Sequence, residues 1–285
     1  MLADLALVLL DTANRVLTLL LVALGLAVTF GLMGIVNLAH GEFFLLGAYA
    51  HVALERLGLG FWWGLLLAPV FVGAAGWILE VVVIRRIQDR PLDSLVATWG
   101  VGLAIKQAVV LLFGPASHTV APPFATTVAI AGTSYPVYRL FVMALALAAT
   151  GLTILLLLRT PFGLMVRGTV ADRGLAAATG LPVRRLDALA FAYGSALAGL
   201  AGAATAPLMS VDPQMGVGFL LPAFLSVLVA PASGAFGTVV GAAVVGGSES
   251  LAATVVSPVV AQLLVLAGAV LLLRLAAGRR YGRER

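Results

Sequence analysis

VYRLFVMALALAATGLTILLLL, residues 137–158, carries a single charge, Arg139, and is otherwise almost wholly aliphatic. A helix needs about 20 mostly apolar residues to cross the hydrocarbon of a bilayer, so this stretch is long enough to span one. Its surroundings are of the same kind. The 285-residue chain is 62% hydrophobic and 10% charged, against about a quarter charged in soluble domains. A globule must expose much of its surface to water, and this composition leaves too little polar surface for that. Working outward, apolar runs recur at about 16–36 (extending back toward Leu5 through Asp11 and Arg15), 38–56, 62–84, 94–113, 187–207 and 258–274. Trp62-Trp63 is an interfacial aromatic anchor for the third. The run 219–254 is too long for one span and is interrupted at 231–237, so it reads as two segments. The expected fold is all-α, a polytopic transmembrane helical bundle of eight or nine membrane segments, some of them discontinuous, in one transmembrane domain over 1–285. No internal repeat stands out.

Thirteen of the 17 Lys and Arg fall in three groups beside apolar runs: Arg85, Arg86 and Arg90; Arg159, Arg167, Arg173, Arg184 and Arg185; Arg274, Arg279, Arg280, Arg283 and Arg285. Basic residues gather on the cytoplasmic side, so all three groups are assigned there. The loop 114–136 has no charged residue, and 208–218 has only Asp212; both face outward. Alternating spans then place the N-terminus outside and the C-terminus in the cytoplasm. The net charge of +5 follows from membrane orientation rather than from nucleic acid. The N-terminus lacks the basic start of a cleaved signal peptide. With no cysteine, disulfides, thiolate metal sites and cysteine nucleophiles are excluded.

Four segments carry polar groups where hydrocarbon is expected. In GLMGIVNLAHGEFFLLGAYA (31–50), Asn37, His40 and Glu42 interrupt an apolar stretch. Polar groups at membrane depth face a cavity or a partner, and Gly41 and Gly47 permit an interrupted helix. The other reading is a helix start at the interface with Asn37 as its cap. One His-x-Glu pair without a third ligand does not make a metal site. In DRPLDSLVATWG (89–100), Asp93 or Ser94 can cap a helix that carries Thr98, Trp99 and, further on, Lys106, which faces a cavity or snorkels to the outer interface. The segment 159–186, RTPFGLMVRGTVADRGLAAATGLPVRRL, is the longest polar stretch; Pro161 and Gly163 break the preceding helix. Residues 169–179 read as a short amphipathic helix, ended by Gly180, with Ala171, Leu175 and Ala178 on one face and Asp172 and Arg173 beside it. Such a segment is either a docking element or an ordinary interfacial helix. In VDPQMGVGFLLPAF (211–224), Asp212-Pro213 reads as an outer turn. Gly194, Gly199 and Gly202 on the sixth span read as helix-packing positions. No Ser, His and acid can be brought to one catalytic site, and there is no phosphate-cradling loop with its Lys, so the chain does not hydrolyse ATP alone.

The 31–50 segment resembles the motif near the start of permease subunits of ABC importers for branched-chain amino acids and urea: a Gly-rich turn, Asn, two residues, His-Gly-Glu, and a Gly-containing helix. Segment 164–181 looks like that family's cytoplasmic coupling region, 187–202 like the Gly/Ala-rich span after it, VDPQMG like its outer turn, and GTVVGA (237–242) like the helix after its Gly-rich break. The resemblance implies a channel subunit without enzymatic activity or cofactor in the inner membrane. It implies as partners a second permease subunit of a different chain, two ATP-binding subunits, a periplasmic or lipid-anchored solute-binding protein, and membrane lipid. By resemblance the solute path involves Asn37, His40, Glu42, Thr98 and Trp99, and the ATPase coupling residues are Ala171, Asp172, Arg173, Leu175 and Gly180. Ala230, Pro231, Ala232 and Ser233 depart from the family's paired glycines, and Lys106 stands where similar sequences carry an uncharged residue. RPLDSLVATWG with LFGP (112–115) looks more like the urea-type permeases. A self-sufficient channel or secondary transporter is the competing class, and it needs a coupling-ion site from Glu42, Glu80, Glu249 and a few His.

Overall fold

The structure, a computed structural model, describes residues 2–87, 90–229 and 234–281. Among them are eleven helices: α1 (Leu2–Met33), α2 (His40–Arg56), α3 (Phe61–Ile87), α4 (Pro91–Phe113), α5 (Val137–Arg159), α6 (Pro161–Ala171), α7 (Arg173–Ala178), α8 (Val183–Thr205), α9 (Met215–Val229), α10 (Gly234–Ala252) and α11 (Pro258–Tyr281). A hairpin of β1 (Thr127–Ile130) and β2 (Thr133–Pro136) is the exception to an all-helical chain. Five helices, α1, α3, α4, α5 and α8, are long and apolar enough to cross a membrane by themselves. The chain is thus a multi-pass helical membrane protein.

Contacts between helix ends orient the passes. At one end Asp11 meets Tyr135 and Arg139, Arg56 meets His118, and Tyr138 donates to the Ala204 carbonyl; this is the hairpin end. At the other, Arg85 holds Glu80 at 2.8 Å and donates to the Arg184 carbonyl, while α1, α6 and α8 share the cluster of Val28, Leu32, Val166 and Leu186. Arg85, Arg159, Arg167, Arg173 and Arg184 gather at this basic end. Glu80 itself sits in a π-helical turn, Glu80–Ile84, late in α3. An extra residue in one turn of a helix re-aims the side chains beyond that turn.

Helices α2, α9, α10 and α11 complete the bundle beside the five spanning helices, and non-helical lead-ins precede α2 and α9. Helices α9 and α10 lie on either side of the break read at 231–237, of which Pro231, Ala232 and Ser233, with Ala230 before them, lie outside the described residues, as do Asp89, Arg283 and Arg285. Helix α8 is central. It packs on α1, α2 and α3, and its small residues allow it. A Cβ on Gly194 would lie 2.4 Å from Gly25 O, one on Gly25 2.3 Å from Gly194 O, and one on Gly202 1.9 Å from Phe44 O. Side chains cannot occupy these positions, so backbones touch and dispersion is gained over the whole contact.

The absence of an internal repeat is corrected by this packing. Helix α3 lies on α8 as α10 lies on α1; α2 packs on α8 as α9 packs on α1; α4 packs on α2 as α11 packs on α9. The sequence agrees in the half-helices. With Gly41 set against Gly216, Phe44, Leu45, Leu46 and Ala48 match Phe219, Leu220, Leu221 and Ala223, and Tyr49 is aligned with the aromatic Phe224. Asn37 and Asp212 also correspond. Each accepts, through Oδ1, the backbone N–H two residues on, at 3.0 and 2.7 Å. α1–α4 and α8–α11 are therefore two halves of inverted direction, the arrangement on which many transporters are built.

Candidate functional site

The site lies where the two halves meet. Helix α1 ends at Met33, and Gly34, at φ +66°, turns the chain back; a positive φ of this kind suits Gly, which has no Cβ. Residues 34–39 then run without regular helix beside α1, and α2 begins at His40. His40 Nε2 donates to Val22 O at 3.0 Å. Val22 is eleven residues before the end of α1, about 16 Å along the helix at 1.5 Å per residue. Helix α2 therefore starts deep in the bundle and rises to the hairpin end. The interface-start reading of Asn37, His40 and Glu42 is thus incorrect in depth, although a helix does start there, because the lead-in 34–39 is re-entrant.

The second half mirrors this. Val211 pairs with His118 near the hairpin end, the chain descends, and α9 begins at Met215 against α2. A Cβ on Gly41 would lie 2.6 Å from Gly216 O, and one on Gly216 2.4 Å from Gly41 O. From there α9 runs toward the basic end, where Phe224 meets Phe30 with ring centroids 6.4 Å apart. Two half-helices thus begin at one buried point and diverge. Their dipoles give that point positive potential.

Glu42 occupies the junction. Its Cγ lies 3.4 Å from where a Cβ on Gly102 of α4 would stand, and its Oε2 3.3 Å from one on Gly216. Thr98, one turn before Gly102, is buried and accepts the Leu38 N–H at 3.2 Å, while donating to Leu95 O at 3.0 Å. It pins the re-entrant lead-in. Thr98 is brought against the lead-in that carries Asn37, while at the start of α2 Glu42 faces α4 and α9 and His40 faces α1. Trp99 joins none of them; it is 58% exposed on another face of α4, because successive helical residues point in different directions. Among the described residues, the buried atoms Asn37 Nδ2, His40 Nδ1 and Glu42 Oε2 have no hydrogen-bond partner. Leaving such atoms unsatisfied costs roughly 1–3 kcal/mol each.

Lys106 donates to Gln214 of the second re-entrant segment. Gln214, Gly102 and Gly216 are site residues that the sequence reading missed; the match of 211–224 to 36–49 was the signal that could have found them.

The cytoplasm-assigned segment also differs from expectation. It forms two helices in place of one over 169–179. Thr160 caps α6, accepting the Gly163 N–H at 3.2 Å, with Pro161 in its first turn. Asp172 breaks the chain and caps α7 through the Leu175 N–H at 2.8 Å. Ala171 ends α6, so it does not share one helix face with Leu175 and Ala178. Arg173 is paired with Asp187 of α8, Nη1 to Oδ1 at 3.1 Å, with a second bond to Oδ2. Gly180, at φ +86°, ends the turn. Leu175 is 63% exposed.

A polytopic bundle with two discontinuous passes meeting at a buried polar junction is the architecture of a membrane transport protein. Residues 8–275 match the family model described as branched-chain amino acid transport system / permease component, and the chain belongs to that family. It is similar to the high-affinity branched-chain amino acid transport system permease protein LivH of Escherichia coli K12, 27% identical over 263 residues, covering 83% of this chain and 82% of the relative. The probable branched-chain amino acid transport permease protein LivH of Methanocaldococcus jannaschii is 27% identical over 246 residues, covering 82% and 76%. The permease protein LivM of E. coli K12 is 29% identical over 218 residues, covering 67% of this chain and 51% of the relative.

Proposed function

We propose that this chain is the channel-forming permease subunit of an ABC importer that moves branched-chain amino acids, or a closely related small polar solute, across the inner membrane. The observation that carries the reading is the junction of α2 and α9. A passing carboxylate would meet the N-termini of two half-helices, as discontinuous helices offer in other transporters, and a passing ammonium would meet Glu42. The unpartnered atoms of Asn37, His40 and Glu42 are what a path with an intermittent occupant needs. The relatives' names favour branched-chain amino acids over urea.

The basic end faces the cytoplasm by the charge bias, with the C-terminus, and the hairpin end faces the periplasmic or lipid-anchored binding protein. Two differently named permease proteins of one organism, LivH and LivM, both resemble this chain, which supports pairing with a second, different permease. Helix α4 supports it too, since it is mostly exposed and rests chiefly on α2. Two ATP-binding subunits drive the assembly, and one of them docks on α6 and α7 of this chain, where Leu164, Val170 and Leu175 are exposed. The chain itself is a transport subunit and no enzyme.

The test is Glu42→Ala in cells expressing the whole system. Uptake falls by tenfold or more, the equivalent of a charge-assisted bond worth about 1.5–3 kcal/mol, while the amount of folded protein in the membrane falls much less. Equal losses of both would show that the cluster only supports the fold.

A further inference from the structure

Four basic residues stand outside the three groups: Arg15, Arg56, Lys106 and Arg139. All lie toward the hairpin end, the side that charge bias disfavours, so each needs a local reason. Arg56 lies over the Phe113 ring at 5.3 Å, and Lys106 is bonded to Gln214. Arg15 and Arg139 instead border one cavity of about 260 Å³, shared with Asp11, Leu208, Met209 and Phe219. Arg15 Nη2 donates to Glu249 Oε1 at 2.6 Å, and Arg139 pairs with Asp11. The four charges sum to zero. Arg15 also lies 5.1 Å over the Phe219 ring. A stacked guanidinium keeps its planar edge for a carboxylate. Asn14, Thr18 and Thr205 complete the wall, and Leu208, Met209 and Phe219 form its apolar side. Drug-sized ligands occupy roughly 300–1,000 Å³, so the occupant of this cavity is smaller.

We propose that this cavity is a holding site for a small aliphatic α-amino acid. Its carboxylate lies against Arg15 and Arg139, its ammonium against Asp11, and its side chain over Leu208, Met209 and Phe219. A group with one charge would leave one ion pair disturbed without compensation, whereas a zwitterion offers both partners at once. The site is coupled to the junction through Phe219, which packs on Phe44 of α2 with ring centroids 4.3 Å apart, one turn beyond Gly216. Solute held here touches the helix that opens the way inward. The inference deepens the transport reading above and takes the identity of the solute from it.

The experiment is equilibrium binding of radiolabelled L-leucine to the purified full-length chain, measured also in Glu42→Ala so that the mid-depth junction does not contribute. Leucine binds in both. 4-Methylpentanoate, which lacks the ammonium, and isopentylamine, which lacks the carboxylate, do not compete at concentrations where leucine saturates. The double variant Asp11→Asn/Arg139→Gln, which keeps the net charge, weakens binding roughly 10- to 100-fold, as expected for charge-assisted contacts. Leu208→Trp, which fills the cavity from its apolar side and leaves both ion pairs intact, abolishes binding. Absence of leucine binding to the unmodified chain, or unchanged affinity in both variants, overturns the proposal. If cells import amino acids through this chain and the cavity binds none, the holding site alone fails. If the cavity binds leucine and the cells import no amino acid, the transport reading fails and the site stands.

Discussion

Replacing Gly194 with Ala separates the central helix from α1, and the cost can be worked from the contact. The new Cβ would stand 2.4 Å from Gly25 O, and ordinary contact begins near 3.4 Å. The obstructing atom is backbone in the middle of α1, so no rotamer change relieves it. The helices must move apart by about 1 Å. A gap of that size forfeits a quarter to a half of each dispersion contact along the seam, and overpacking in well-packed cores typically costs about 1–3 kcal/mol. Gly151, in the interior of α5, is the control. Nothing lies within 4 Å of its would-be Cβ, so Gly151→Ala gains helix propensity, roughly 0.5–1 kcal/mol. Thermal unfolding of the purified variants in detergent reads both. Gly194→Ala unfolds at a lower temperature than the unmodified chain, and Gly151→Ala at the same temperature or higher. Equal shifts in the two variants would refute the backbone-contact account of the α1–α8 seam.

Arg173→Ala leaves Asp187, only 1% exposed, without its partner. Stranding a buried charge costs about 3–5 kcal/mol, and the lower end applies because Arg173 is 41% exposed; adding Asp187→Asn restores most of the lost thermal stability, and failure to do so would rule out the pair as the cause. Leu175→Asp, at an exposed position, leaves thermal stability unchanged yet weakens co-purification with the ATP-binding subunits and removes solute-stimulated ATP hydrolysis. Retention of both would move the docking site elsewhere on α6 and α7. Single-cysteine variants at Ser117 and Asp212 react with an impermeant thiol reagent in intact cells, and one at Arg167 does not; labelling at 167 would reverse the orientation.

Much of the architecture was legible in local sequence. The run 137–158 became α5, Val137–Arg159, because an apolar stretch of spanning length bounded by Pro136 and Arg159 has one economical solution in lipid, a helix with every backbone group satisfied within itself. The breaks at Thr160-Pro161 and at Asp172 are also local, since a side-chain oxygen and a proline define helix starts; the single helix over 169–179 failed because Asp172 caps a new helix rather than continuing the old one. Asn37, His40 and Glu42 stood out as polar intrusions in an apolar run.

Their depth did not. Whether α2 begins at an interface or beside Val22 depends on how far residues 34–39 climb along α1, and that is decided by contacts with Thr98 and Gly216, far off in the chain. The inverted halves escaped notice for a similar reason. The matching residues of α2 and α9 are few, and the helices run in opposite directions from one point, so no hydropathy pattern repeats in register. The sequence by itself determined the character of the membrane segments, their number to within one, their charge bias and the polar residues among them, because those follow from the free energy of transferring each residue into hydrocarbon. The tertiary structure alone decided which segments stop halfway, which glycines touch, and that Arg15 and Arg139 border one cavity, because these depend on close approach between backbones that only the folded bundle brings together.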